Sequence, residues 1–301
     1  RSSKSNQGII SNTLIGRFLK DIINLLIYGG AFIGLCASCI TALTFELTGR
    51  VEENLQYILL IGSATAALYT IHRVIGLHKS AHVKNSDRFT IIRKYLFHIR
   101  VYSALWILLS LWLLIPLFNL SFLLWLAPGG IIAFTYVIPF LSGGRRLRDL
   151  GWGKIIMIGW SWAWLTAVVP LWYFTEASIQ MTVIHGLERL LFIMLIAIPF
   201  EIRDLNIDKS LGLITVPEKL GSKRTRRIAR IMCGGVIFLS LISSFHYFNQ
   251  PYVIAMGLTS LSVLPMINFS YVTSDDYFFG GLVDGTMIIA LWVFKVVNIF
   301  I

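Results

Sequence analysis

Apolar runs close to 20 residues long recur from Ile22 to Ile301, and no other feature restricts the fold as tightly. A run of that length crosses a bilayer as a helix, which satisfies its backbone N–H and C=O groups internally where water is absent. Nine such runs can be drawn, near 22–44, 55–77, 99–118, 120–140, 155–174, 186–202, 228–248, 252–270 and 277–299. Composition agrees with this reading. Of 301 residues only 14% are charged and 56% are hydrophobic, where a soluble domain carries about 25% charge. The expected fold is an all-α polytopic membrane protein with nine transmembrane helices. It forms one domain over residues 1–301, because no linker rich in Gly, Ser or Pro divides the chain. Tight joins are expected near Asn119 and at 249–251. Before the first run, Ile9, Ile10, Leu14, Phe18 and Ile22 fall at helical spacing, with Arg17, Lys20 and Asp21 between them. That pattern suits either a short helix lying in the interface or an extension of the first span, with residues 1–21 as a cytoplasmic or interfacial segment.

A net charge of +11 raises the question of nucleic acid. The placement of the charge answers it. Of the 26 Lys and Arg residues, 22 fall in the N-terminal segment and in the loops after spans two, four and six. Arg50 and Arg189 lie near the other side. Alternation of this kind is the positive-inside pattern. It predicts an integral membrane protein of the bacterial inner-membrane type, with the N-terminus cytoplasmic and the C-terminus outside. Its partners are membrane lipids, and nucleic acid is not among them. Cys36 and Cys39 have redox-motif spacing but lie in an apolar run, where they read as packing residues.

The chemistry concentrates in Pro199 to Gly221, PFEIRDLNIDKSLGLITVPEKLG, directly after the sixth apolar run. Offsets of three and seven residues put Glu201, Asp204 and Asp208 on one side of a helix, within an arc of roughly 60°. Acids at the end of an apolar helix are costly unless a cation meets them. Mg²⁺ is one such cation, since it binds one or two carboxylates together with phosphate oxygens. The plainer reading is a solvated loop neutralised by Arg203, Lys209 and Lys219.

These residues carry a resemblance to the UbiA superfamily of intramembrane prenyltransferases. The second Asp-rich motif of that superfamily reads like DIRDxxxDxxxGxxTLPxxLG. Here EIRDLNIDKSLGLITVPEKLG keeps Asp204, Asp208, Gly212, Thr215, Pro217, Leu220 and Gly221. The stretch from Tyr136 to Asp149, YVIPFLSGGRRLRD, is similar to the superfamily's Tyr-Pro…Lys/Arg loop after helix four. The resemblance implies nine helices around a central cavity open to lipid, and a polyprenyl diphosphate held at the cytoplasmic face. It implies a metal site at Asp204, Asp208 and Glu201, with Tyr69 and Tyr136 in the substrate cavity.

The first motif departs from this pattern. Where the superfamily has roughly NDxxDRxxD, this chain reads LYTIHRVIGLHKSAH, with Leu68, His72 and Gly76 at the positions of Asn, Asp and Asp. No carboxylate remains there, so at most one Mg²⁺ site is expected. His72, Arg73 and Lys79, with Arg145 and Lys209, would meet the diphosphate directly. His78 and His82 have metal-ligand spacing without an evident third ligand. Two functions follow from the resemblance. One is transfer or binding of a polyprenyl diphosphate or quinone-like lipid at an atypical, one-sided metal site. The other is a non-catalytic lipid-binding or assembly subunit of a membrane complex, with partner membrane subunits. Glu188 and Arg189 are expected to find partners near the outer start of span six. Asp284 and Lys295 share a face of the last span, and the Trp160 to Trp172 stretch lines a cavity or packs.

Overall fold

A computed structural model describes residues 14–79, 87–139, 146–147, 153–210, 215–247 and 249–301. These segments are helical almost throughout, and among the described residues there is no strand. In chain order the helices are α1 (Leu14–Tyr28), α2 (Ala31–Glu46), α3 (Leu55–Lys79), α4 (Asp87–Lys94), α5 (Leu96–Leu114) and α6 (Leu120–Val137). They continue with α7 (Lys154–Phe174), α8 (Ile179–Arg203), α9 (Leu205–Ser210), α10 (Val216–Tyr247), α11 (Gln250–Phe269) and α12 (Phe278–Phe300). Among the described residues eight helices are long and apolar enough to cross a membrane, and α1 with α2 makes a ninth crossing if the pair is one bent span. The two open alternatives for the N-terminal helix thus meet in one geometry: α1 runs into α2 across a 55° bend. Gly30 makes the bend with φ 82°, a left-handed conformation that L side chains rarely adopt. Ile9 and Ile10 lie outside the described residues. The expected tight joins are present, and each carries a helix cap. Asn119 accepts from Phe122 N at 2.8 Å to start α6, and Asn249 accepts from Tyr252 N at 3.1 Å to start α11.

The helices form a ring. α2 packs on α3, α3 on α5 and α6, α6 on α7, α7 on α8, α8 on α10, α10 on α11 and α11 on α12, which returns to α2. Helix α8 is the most enclosed: 67% of its apolar window is buried, against 11% for α5. Phe192, Leu195, Ile196 and Ile198 of α8 form one core with Ala229, Cys233 and Val236 of α10 and Met287 of α12. The outer faces stay apolar, with Leu108, Trp112, Phe238 and Trp292 exposed, as lipid contact requires. Helices α2 and α3 approach backbone to backbone. A Cβ added at Gly34 would lie 2.8 Å from Gly62 O, and one at Gly62 would lie 2.9 Å from Gly34 O.

Helix α7 changes to π geometry at Trp164–Val168 and again at Pro170–Phe174. Such turns misalign carbonyls that the bilayer cannot hydrate, so neighbouring side chains supply donors. Tyr57 donates to Leu165 O at 2.7 Å, and Thr44 donates to Thr166 O at 2.7 Å. Arg189 donates to Ile40 O at 2.8 Å, to Thr166 Oγ1 at 3.1 Å and to Thr44 Oγ1 at 3.1 Å. Beside it, Glu188 accepts from Tyr252 at 2.8 Å and from Ser240, and lies 3.0 Å from His185 Nδ1. Glu188 and Arg189 are therefore partnered and buried within the bundle. Replacing Arg189 with Leu is expected to cost about 3 kcal/mol or more, because several buried acceptors lose their donor together. Thermal unfolding in detergent measures it.

Candidate functional site at the basic end of the bundle

The ring encloses a cavity of about 420 Å³. Its inner part is apolar, lined by Leu60 and Ile61 of α3, Leu114 of α5, Leu126 of α6, Leu165 of α7 and Ile196 of α8. Its other end, toward the basic loops, is charged. Four helices supply most of that mouth's charged side chains. Helix α8 ends in Glu201 and Arg203, with Asp204 as its C-cap, and α7 begins at Lys154. Helix α3 contributes His72 and Arg73, and α12 contributes Asp284 one turn after Gly280.

The charges fall into two ion-paired groups. In the first, Lys154 Nζ lies 3.0 Å from Glu201 Oε1 and 2.5 Å from Asp208 Oδ2. In the second, Arg203 lies 2.8 Å from Asp204 and 3.1 Å from Asp276. Its guanidinium also sits 5.1 Å from the Phe200 ring centre and 4.9 Å from that of Phe279, a pairing that favours a poorly hydrated cation. Tyr28 donates to the other Asp276 oxygen at 2.9 Å. Arg73 lies over the Tyr28 ring at 5.3 Å and donates to Ile27 O at 2.5 Å, so α1 is tied to α3 at the mouth. Tyr277, in the turn before α12, donates to Asn24 of α1 at 2.6 Å; burial raises its phenol above the usual range and keeps it a donor.

Most of the residues that the sequence singles out converge on this cavity. Glu201, Asp204, His72, Arg73, Tyr69 and Tyr136 all line it. Asp208 is buried against Lys154. Lys209 is exposed on α9, away from the cavity wall. Arg145 and the Lys79 side chain lie outside the described residues, as do Gly212, His82 and the His78 side chain. Asp284 faces the cavity, whereas Lys295 pairs with Glu46 at 2.5 Å, so the two are not linked. Three members of the mouth escape the sequence reading: Lys154, Asp276 and Tyr28. Lys154 reads as one more basic loop residue, although it opens an apolar helix. Asp276 sits in Ser-Asp-Asp before the last span, where an acid pair beside an apolar run is a usable cue.

A divalent ion at the second motif would need carboxylates free to turn toward it. Glu201 and Asp208 share an ammonium, Asp204 turns to a guanidinium, and α3 offers no acid. Among the described residues no group of three or more His, Cys, Asp or Glu side chains is placed to hold a metal ion. As arranged, the residues do not fit Mg²⁺.

Together, ring and mouth define a helical membrane protein with an internal apolar cavity and a charged opening. No protein-family model matches the chain, and no curated protein matches it by sequence. Solved structures do match. A UbiA homolog from Archaeoglobus fulgidus superposes with a TM-score of 0.58 at 15% identity, covering 90% of this chain and 99% of that one. The same homolog bound to GPP and Mg²⁺ gives a TM-score of 0.54, at the same identity and coverage. A digeranylgeranylglyceryl phosphate synthase structure gives 0.54 at 18% identity, covering 92% of this chain and 99% of that one. The chain has the UbiA fold.

Proposed function

We propose that this protein binds an isoprenoid diphosphate, with the hydrocarbon chain in the apolar cavity and the head group at the charged mouth. The observation that carries the reading is the continuity of one cavity from Leu114 and Leu165 to Arg73 and Arg203. An isoprenoid diphosphate has that same division into apolar and anionic parts. The GPP- and Mg²⁺-bound state of the Archaeoglobus fulgidus homolog supports the ligand class. Arg73 and His72 face the head group from α3, with Tyr69 and Tyr136 along the wall. Mg²⁺ at Glu201, Asp204 and Asp208 enters this reading only by displacing Lys154 and Arg203. The basic end, by the positive-inside pattern, faces the cytoplasm.

A second reading has a specific observation in its favour. The carboxylates are already ion-paired with the chain's own cations, which suits a non-catalytic lipid-binding or assembly subunit. Incubating the purified protein with labelled polyprenyl diphosphates and a panel of quinone precursors separates the two. A prenylated product establishes transfer, and retention of the label without product establishes binding alone. If no labelled lipid is retained, the proposal fails.

A further inference from the structure

Lys154, Glu201 and Asp208 are each no more than 5% exposed, and the ammonium sits between the two carboxylates. An ammonium has three donors, of which the carboxylates take two. Lys154 lines the cavity, so the third remains for a ligand there. Glu201 lines it too, and its second oxygen, Oε2, is buried with no hydrogen-bond partner. A bare buried carboxylate oxygen is costly, so the contact of Lys154 with the other oxygen is what compensates the charge. The ammonium's remaining donor suits a phosphate oxygen.

We propose that Lys154 is the site's built-in cation: its ammonium stands where a divalent ion would bridge Glu201 and Asp208, and the chain engages a phosphate-bearing head group without a metal. The identity of the ligand rests on the isoprenoid reading above; the exclusion of metal does not. Mg²⁺ demands oxygen ligands in near-octahedral geometry, and it cannot share two carboxylates with an ammonium in a poorly hydrated mouth. Helix α3 has no acid to offer in their place.

The test titrates Mn²⁺ into the purified full chain and reads the free-ion signal by electron paramagnetic resonance. Wild type and Lys154→Arg should leave the ion free. Lys154→Met should gain a site at least about tenfold tighter, because it frees both carboxylates. Adding Glu201→Gln to that variant should abolish the site. Wild-type protein that already holds Mn²⁺, and loses it on Glu201→Gln, overturns the proposal. Since Lys154→Met strands two buried acids and endangers folding, a second measurement uses wild type alone. A non-hydrolysable geranyl diphosphate analogue should bind with equal affinity in EDTA and in Mg²⁺. Affinity about tenfold or more higher in Mg²⁺ overturns the proposal. An analogue that binds in neither condition overturns the isoprenoid reading, while the Mn²⁺ titration still decides the role of Lys154.

Discussion

Arg203→Ala should destabilise the protein by about 3–5 kcal/mol and abolish head-group binding, because it leaves two acids without their shared cation. Asp204 and Asp276 both pair with Arg203, and both side chains are largely buried. The two aromatic rings that flank the guanidinium would then face an empty volume as well. Stability should return in part when Asp276→Asn is added, since one uncompensated charge is removed. Binding should not return, because the cation facing the cavity is still missing. Thermal unfolding in detergent and binding of a prenyl diphosphate analogue read the two effects separately. Equal recovery of both in the double variant would reduce Arg203 to a purely structural residue.

Gly62→Leu should eliminate folded protein. Even a Cβ at this position lies 2.9 Å from Gly34 O and meets the Ser38 side chain, and Leu adds three further carbons. Helices α2 and α3 would have to separate, which undoes the wall that carries Leu60, Ile61 and Tyr69. In a bilayer the association of helices depends on such close packing, because lipid tails are as apolar as the side chains they replace. Gly76→Leu is the matched control on the same helix: nothing lies within 4 Å of its added Cβ. The measurement is the yield of monodisperse protein after detergent extraction. A normal yield for Gly62→Leu would show that the α2–α3 contact is not needed for the ring.

The fold is legible in the sequence because the bilayer imposes a length that apolar runs cannot hide. Those runs mark the crossings, and Asn119 and Asn249 mark joins at which they begin again. The motif spacing from Asp204 to Gly221 points to one mouth, and Glu201, Asp204, His72 and Arg73 do meet there. The pairing within the mouth is not legible. Helical phase places Glu201, Asp204 and Asp208 together, but α8 stops at Arg203, and Asp208 belongs to the separate α9. Which cation each acid meets depends on how α7 and the turn before α12 approach, 54 and 73 residues away in the chain. The π turns of α7 are equally hidden, since Arg189 can be recognised as a charge beside an apolar run but not as the donor to a displaced segment.

The bend at Gly30 has a consequence for the membrane itself. Helix α2 has only 16 residues, so it spans about 24 Å at ~1.5 Å per residue, short of the ~30 Å hydrocarbon thickness. With α1 leaning away by 55°, its 15 residues still add about 13 Å along the same direction, at ~1.5 Å per residue, so the bent pair together is long enough to cross. The bend lies on the side where Tyr28 and Asn24 of α1 border the charged mouth. The oblique α1, rather than a thinner bilayer, thus supplies the length that α2 lacks.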